Sequence, residues 1–307
     1  MTYRLNLFLL ALVLLIGGPF YWFLLDNHAA NIPAHRLDIG ELRRLAASQA
    51  GPAPSGVEVE CAGFKRVSGS FMVAGSGIKR KLICYMAFRL PVPGGAPVII
   101  ESGITADDAK AGGAEKFNPG NQARIEEELD HAGLILVTHE HADHLGALVA
   151  HGGAALMQKA MLNPGQLPPS QWAARLHWRG GQVPPARLPG DRMVAVAPGI
   201  VVIPAPDSHT AGSQMIFVRL GDGREFLFVG DISSFAQNWQ EQRGRSRLVE
   251  QFFAPENRAG VFGWLAAIAA LKAQDPALVI VPGHDFEWII DPLNGAGIRF
   301  GFSSRPI

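Results

Sequence analysis

The chain has 307 residues, enough for one large domain or two modest ones, and its 48% apolar content supports a substantial core. Lysine plus arginine and aspartate plus glutamate number 27 each, so no global field favours nucleic acid, and no nucleic-acid partner is expected. The 35 glycines and 22 prolines follow no period, which excludes a collagen-like chain and points to many turns between short strands rather than disorder.

Residues 5–25 carry no charge and reach Tyr21 and Trp22 near their far end, where aromatic rings favour a membrane interface. The run is long enough to span a bilayer, and Asn27-His28-Ala29 is a poor cleavage site, so residues 1–26 are expected to be an uncleaved transmembrane anchor. Arg4 before the span and Asp26 after it place the amino terminus in the cytoplasm and the body on the periplasmic or outer side of an inner membrane. Residues 27–56 are polar, then proline-punctuated, and read as a linker with a short helix over 39–48; His28 and His35 are expected to be solvated there.

From Val57 the pattern turns to β-type runs at 57–67, 70–74 and 81–91, separated by Gly69 and by Gly75-Ser76-Gly77. Val98-Ile99-Ile100 is a short apolar strand followed by Glu101-Ser102-Gly103, and residues 121–132 form an acidic amphipathic helix that His131 closes. The domain is expected to run over 57–307. Cys61 and Cys84 are too few for a four-thiolate site. In an exported domain they could form one disulfide, whereas in a cytoplasmic one they would stay buried thiols.

The apolar run Leu134-Ile135-Leu136-Val137 ends in Thr138-His139-Glu140-His141-Ala142-Asp143-His144-Leu145-Gly146, and residues 145–149 lead away as a helix. Imidazoles at two-residue spacing on an extended segment can reach one ion, while Asp143 and His144 turn toward a second. Residues 152–190 are broken by prolines and carry Trp172, His177 and Trp178; such an insertion could overhang a pocket. Strands then return at 193–197, 200–203, 214–220 and 225–229, with Gly221-Asp222-Gly223 as a tight hairpin. His209 lies on a loop between two of them. Phe226-Leu227-Phe228-Val229-Gly230-Asp231 and Leu278-Val279-Ile280-Val281-Pro282-Gly283-His284-Asp285 repeat the pattern of a buried strand ending in a ligand. Strand, helix, strand and ligand loop make an α/β order.

The ordered set His-x-His-x-Asp-His, a downstream His, an Asp after a strand and a final His resembles the metallo-β-lactamase superfamily, over roughly residues 57–285. The resemblance implies a four-layer αββα sandwich, here with an amino-terminal transmembrane helix. It also implies two metal ions, zinc with iron or manganese as alternatives. The first would be held by His139, His141 and His209, the second by Asp143, His144 and His284, with Asp231 bridging. Three departures stand out. Glu101 replaces the family's usual aspartate, His209-Thr210-Ala211-Gly212 replaces His-Thr-Pro-Gly, and Ser234 occupies the place where homoserine-lactone lactonases carry a tyrosine.

Two cations about 3.5–4 Å apart can share a hydroxide and polarise a carbonyl or phosphoryl group. The expected activity is therefore a dinuclear metal-dependent hydrolase that turns a metal-bridging hydroxide on an ester, lactone or thioester. Asp143 would orient the hydroxide, and Asp231 would hold both ions and return a proton to the leaving group. The alternative is a phosphodiesterase acting on a lipid or nucleotide. A true β-lactamase is disfavoured because, by the resemblance, those enzymes lack the aspartate bridge that Asp231 provides. The partners expected are a small-molecule substrate and the membrane.

Overall fold

Strand alternation decides the layering. In the computed structural model, which describes residues 2–294 and 297–303, β2 (Arg80–Leu90) sends Cys84, Met86 and Phe88 to one face and Ile83, Tyr85 and Ala87 to the other. Both faces are buried, so two covering layers are needed. β2 pairs antiparallel with β1 (Glu58–Ser68) and β3 (Val98–Ile100), and β3 runs parallel to β5 (Leu134–Leu136). β4 (Lys116–Phe117) and β11 (Arg299–Phe300) add to β1 and complete the first sheet.

The second sheet has the order β10-β9-β8-β7-β6 and is formed by Val279–Pro282, Glu225–Gly230, Gln214–Arg219, Ile200–Pro204 and Val194–Ala197. Only its β9–β10 pair is parallel. Phe226 and Phe228 point inward from β9, and Phe88 of the first sheet meets Phe228 edge to face at 5.0 Å. Leu227 and Val229 point outward, onto Trp264, Leu265, Ile268 and Leu271 of the 17-residue helix Arg258–Gln274. On the far side, Ile83, Ile99 and Ile135 lie under Ile125 and Leu129 of the helix Pro119–His131 and under Leu148 and Val149. The result is an α/β sandwich of four layers, helix, sheet, sheet, helix.

Local chemistry corrects some sequence expectations and decides one left open, the pairing of the two cysteines. Residues 70–74 form no strand: Gly69–Met72 is a helical turn, closed by Ser70 and Gly77 bonding to each other. Cys61 and Cys84, on the paired strands β1 and β2 with Cα atoms 6.2 Å apart, are joined in a disulfide. Residues 27–56 lie against the body. Leu37, Leu42 and Ala46 are buried under the second sheet, and His35, expected in solvent, stacks on Trp264 at 4.1 Å. The end of the expected domain, 304–307, lies outside the described residues.

Ahead of the sandwich stands an apolar helix, Tyr3–Leu25, none of whose hydrophobic window is buried in the protein. Its 23 residues rise about 35 Å at 1.5 Å per residue, against a hydrocarbon thickness of about 30 Å. By length and composition it could be a membrane anchor or a signal sequence.

Candidate metal centre

Three strand ends converge on one edge of the sandwich. β5 runs into Thr138, His139, Glu140 and His141, and the helical turn that follows carries Asp143 and His144. β9 stops at Gly230 and delivers Asp231, β10 stops at Pro282 and delivers His284, and the loop after β7 supplies His209. Glycine makes the approach sterically open. Gly230 has φ +52°, and a Cβ there would stand 2.4 Å from Thr138 Oγ1; a Cβ on Gly283 would stand 2.4 Å from Asp231 Oδ1.

All seven residues singled out in the sequence meet, in two groups: His139, His141, His209 and Asp231, then Asp143, His144 and His284. Within each group the ligand atoms lie within 4.8 Å of one another. Asp231 faces both. Its Oδ2 is 3.6 Å from His209 Nε2 and 4.0 Å from His139 Nε2, while Oδ1 is 3.1 Å from His284 Nε2 and 4.0 Å from His144 Nε2. Asp143 Oδ2 lies 3.6 Å from His284 Nε2.

Charge and hydrogen bonding prepare the first group, His139, His141, His209 and Asp231, for a cation. Burial, reinforced by the neighbouring histidines for His139 and by Arg245 for His209, holds both imidazoles well below their ordinary pKa, and burial lowers His141 to about 4. Neutral rings present lone pairs. The Nε2 atoms of His139 and His209 lie 3.0 and 3.1 Å from His141 Nδ1, so three imidazole nitrogens crowd one point that a bound ion would satisfy. The opposite ring nitrogens are already engaged: His209 Nδ1 is 2.7 Å from Glu256 Oε2, His284 Nδ1 is 2.9 Å from the Cys84 carbonyl, and His139 Nδ1 is 3.1 Å from Thr138 Oγ1. Burial disfavours a charged His144, but Glu101 Oε1, 3.3 Å from its Nδ1, and Asp143 outweigh it and raise the ring to about 9. Burial also opposes ionisation of Asp231, yet His284 and Arg245 keep its carboxyl well below the usual range. The cluster fits a dinuclear metal site.

No protein-family model matches the sequence, and no curated protein matches it. Solved structures do. A quorum-quenching N-acyl homoserine lactone lactonase superposes with a TM-score of 0.56 at 16% identity, covering 78% of this chain and 95% of that one. An N-acyl homoserine lactone hydrolase, with N-hexanoyl-L-homoserine bound at its catalytic metal centre, gives 0.55 at 17% over 76% and 95%. A probable metal-dependent hydrolase from Staphylococcus aureus gives 0.52 at 11% over 76% and 91%. The chain has the metallo-β-lactamase fold.

Around this cluster stand further residues, of which Arg245 and Glu256 were not singled out in the sequence. Arg245, only 5% exposed, donates from Nη2 to Asp231 Oδ2 at 2.5 Å and to Ser234 Oγ at 2.7 Å, and its Nη1 lies 3.5 Å from Glu256 Oε2. Burial raises the Glu256 carboxyl to about 7 despite Arg245. Glu101 adopts φ +67° to receive the Thr138 amide and hydroxyl, so a backbone strain is placed beside the ligands. Glu140, inside the motif, accepts from Thr210 Oγ1 at 2.7 Å and from the Gly212 amide at 3.2 Å, fastening the loop that carries His209. The proline-laced insertion does reach the site: the Trp172 ring meets His141 edge-on at 4.5 Å, whereas His177 is exposed.

A cavity of about 300 Å³ opens beside Asp143, Asp231 and His284. Its walls are mostly apolar, from Val67, Phe71, Met72, Ile83, Val249 and Phe253.

Proposed function

We propose that the protein is a metal-dependent hydrolase of esters, lactones or thioesters. The observation that carries this reading is Asp231, whose two oxygens face two separate donor groups at the floor of an apolar cavity. Two divalent cations held there, zinc in our reading, would supply an acidified water and Lewis-acid polarisation of a carbonyl. His139, His141 and His209 would hold one, Asp143, His144 and His284 the other, with Asp231 between them. Asp143, at the cavity wall, would orient the attacking water, and Asp231 would carry the proton to the leaving group. Arg245 keeps Asp231 ionised and aimed, and Trp172 shields His141 from one side. Two of the structures that share the fold act on N-acyl homoserine lactones, which favours a cyclic or linear ester over a β-lactam.

The purified full-length chain is expected to contain close to two transition-metal ions and to hydrolyse chromogenic lactones or thioesters, with activity lost to chelator and restored by zinc. Elemental analysis showing active protein without stoichiometric metal would end the proposal. Turnover confined to phosphodiesters or a cephalosporin in the same panel would move it to another substrate class.

The apolar helix is read as an uncleaved inner-membrane anchor with the catalytic body on the periplasmic or outer side. Asp26 supports retention: it is buried, receives Arg247 Nε at 2.8 Å, and its carbonyl receives Arg258 Nη2 at 2.8 Å, so the helix end is built into the body. The disulfide suits an oxidising compartment. A phosphatase fused to the carboxyl terminus should be active in intact bacteria; an inactive fusion alongside a bright cytoplasmic fluorescent fusion would contradict the orientation.

A further inference from the structure

We propose that the cavity of the metal site opens at the surface of the membrane holding the anchor, and that its substrate is an amphiphile taken from that surface, the hydrolysable carbonyl entering the site while the acyl chain stays in lipid. The substrate half rests on the hydrolase reading above; the membrane half does not.

The anchor and the cavity share their walls. Phe71 and Met72, from the segment that ends β1, form one wall, and Val249 and Phe253, on and just after the helix Arg247–Phe252, form another. The last turn of the apolar helix is attached to both. The Gly75 amide donates to the Leu24 carbonyl at 3.0 Å, the Arg247 guanidinium lies over the Trp22 ring at 4.1 Å, and the rings of Phe23 and Phe252 are 5.9 Å apart. The two walls are also tied together, by the Ser246 amide on the Phe71 carbonyl at 3.1 Å and the Ala74 amide on the Gly244 carbonyl at 2.9 Å. Elements packed on the final turn of a spanning helix stand within about one turn, roughly 5 Å, of the level at which the span leaves the hydrocarbon.

At that level the surface is aromatic. Phe252 and Phe253 are 64% and 68% exposed, adjacent to Tyr21 and Trp22 at 58% and 48%. Large rings left open side by side mark an interaction surface, and beside a spanning helix they match the ring belt of a membrane interface. Phe253 belongs both to this surface and to the cavity wall, so a chain lying along it passes directly from lipid to the site. Volume points the same way. At about 300 Å³ the cavity sits at the small end of ligand pockets, so a long acyl chain cannot be enclosed and its remainder emerges at Phe253.

The test uses the full chain in phosphatidylcholine vesicles. Both cysteines are in the disulfide, so a fluorophore can be placed on a single new thiol, at Phe252→Cys or, as control, at Asp222→Cys in the hairpin at the opposite end of β9. Brominated acyl chains in the vesicle should quench the label at 252 several-fold more than the label at 222. Equal quenching overturns the membrane half, whatever the enzyme hydrolyses. In the same vesicles kcat/KM for a dodecanoyl lactone or thioester should exceed that for the butyryl compound at least tenfold. No chain-length preference overturns the substrate half, and hydrolysis of neither compound overturns the hydrolase reading together with that half, the quenching result deciding membrane apposition independently.

Discussion

Asp231→Asn is expected to lower turnover by at least about a hundredfold, roughly 2.7 kcal/mol of barrier, and to leave fewer than two ions per chain. An amide keeps the shape of the side chain but offers one oxygen where the carboxylate offers two. In the structure each oxygen has its own side: Oδ1 toward His284 at 3.1 Å, Oδ2 toward His209 at 3.6 Å. Whichever way the amide turns, one donor group loses its oxygen, and the negative charge that offsets two cations is gone. The fold should persist. Arg245, which now donates to Oδ2, keeps Ser234 Oγ at 2.7 Å and Glu256 at 3.5 Å, so its buried charge is not abandoned. The metal-loaded variant should therefore melt near the parent temperature. Retention of both ions and full turnover would show that Asp231 is only a turn residue.

Most of the candidate ligands were legible in the sequence because they follow strands that run apolar to their ends, whereas His209, on the loop after β7, joined the set only through the resemblance. β9 and β10 are buried at every position, so Asp231 and His284 stand out as the first polar side chains with chemistry at the strand's end. The four layers were visible only through the resemblance, since short runs do not reveal which sheet they join. The residues that hold the ligands escaped for a different reason. Arg245 and Glu256 lie in a stretch without ligand spacing, and the helix that follows, Arg258–Gln274, is apolar nearly all round because the body covers most of it, so no stripe announces it. Its first residue, Arg258, donates to the carbonyl of Arg245 at 2.8 Å and so links that helix to the His/Asp cluster. The polar content of residues 27–56 likewise suggested a linker, but Leu37, Leu42 and Ala46 are buried and seat it against the body.

Cutting the chain at two places should expose that seat. A fragment beginning at Leu24 keeps the Leu24 carbonyl bonded to Gly75 and Asp26 bonded to Arg247 and Arg258, whereas one beginning at Gly51 loses these contacts and everything between. The longer deletion uncovers Trp264 under His35 and removes Leu37 and Leu42, which are 8% and 0% exposed. At about 1.5–3 kcal/mol for each buried leucine, the two alone contribute roughly 3–6 kcal/mol, a large share of a net stability of about 5–15 kcal/mol. Glu225, buried on β9, also loses the Arg43 guanidinium that donates to both its oxygens at 3.1 Å or less. The fragment from Gly51 should therefore melt roughly 10 °C or more below the fragment from Leu24, or fail to accumulate in soluble form. Both would be compared with metal supplied in excess, so that a difference reports packing and not loading. A fragment from Gly51 that melts within about 3 °C of the longer one would show that residues 24–50 rest on the sandwich without stabilising it.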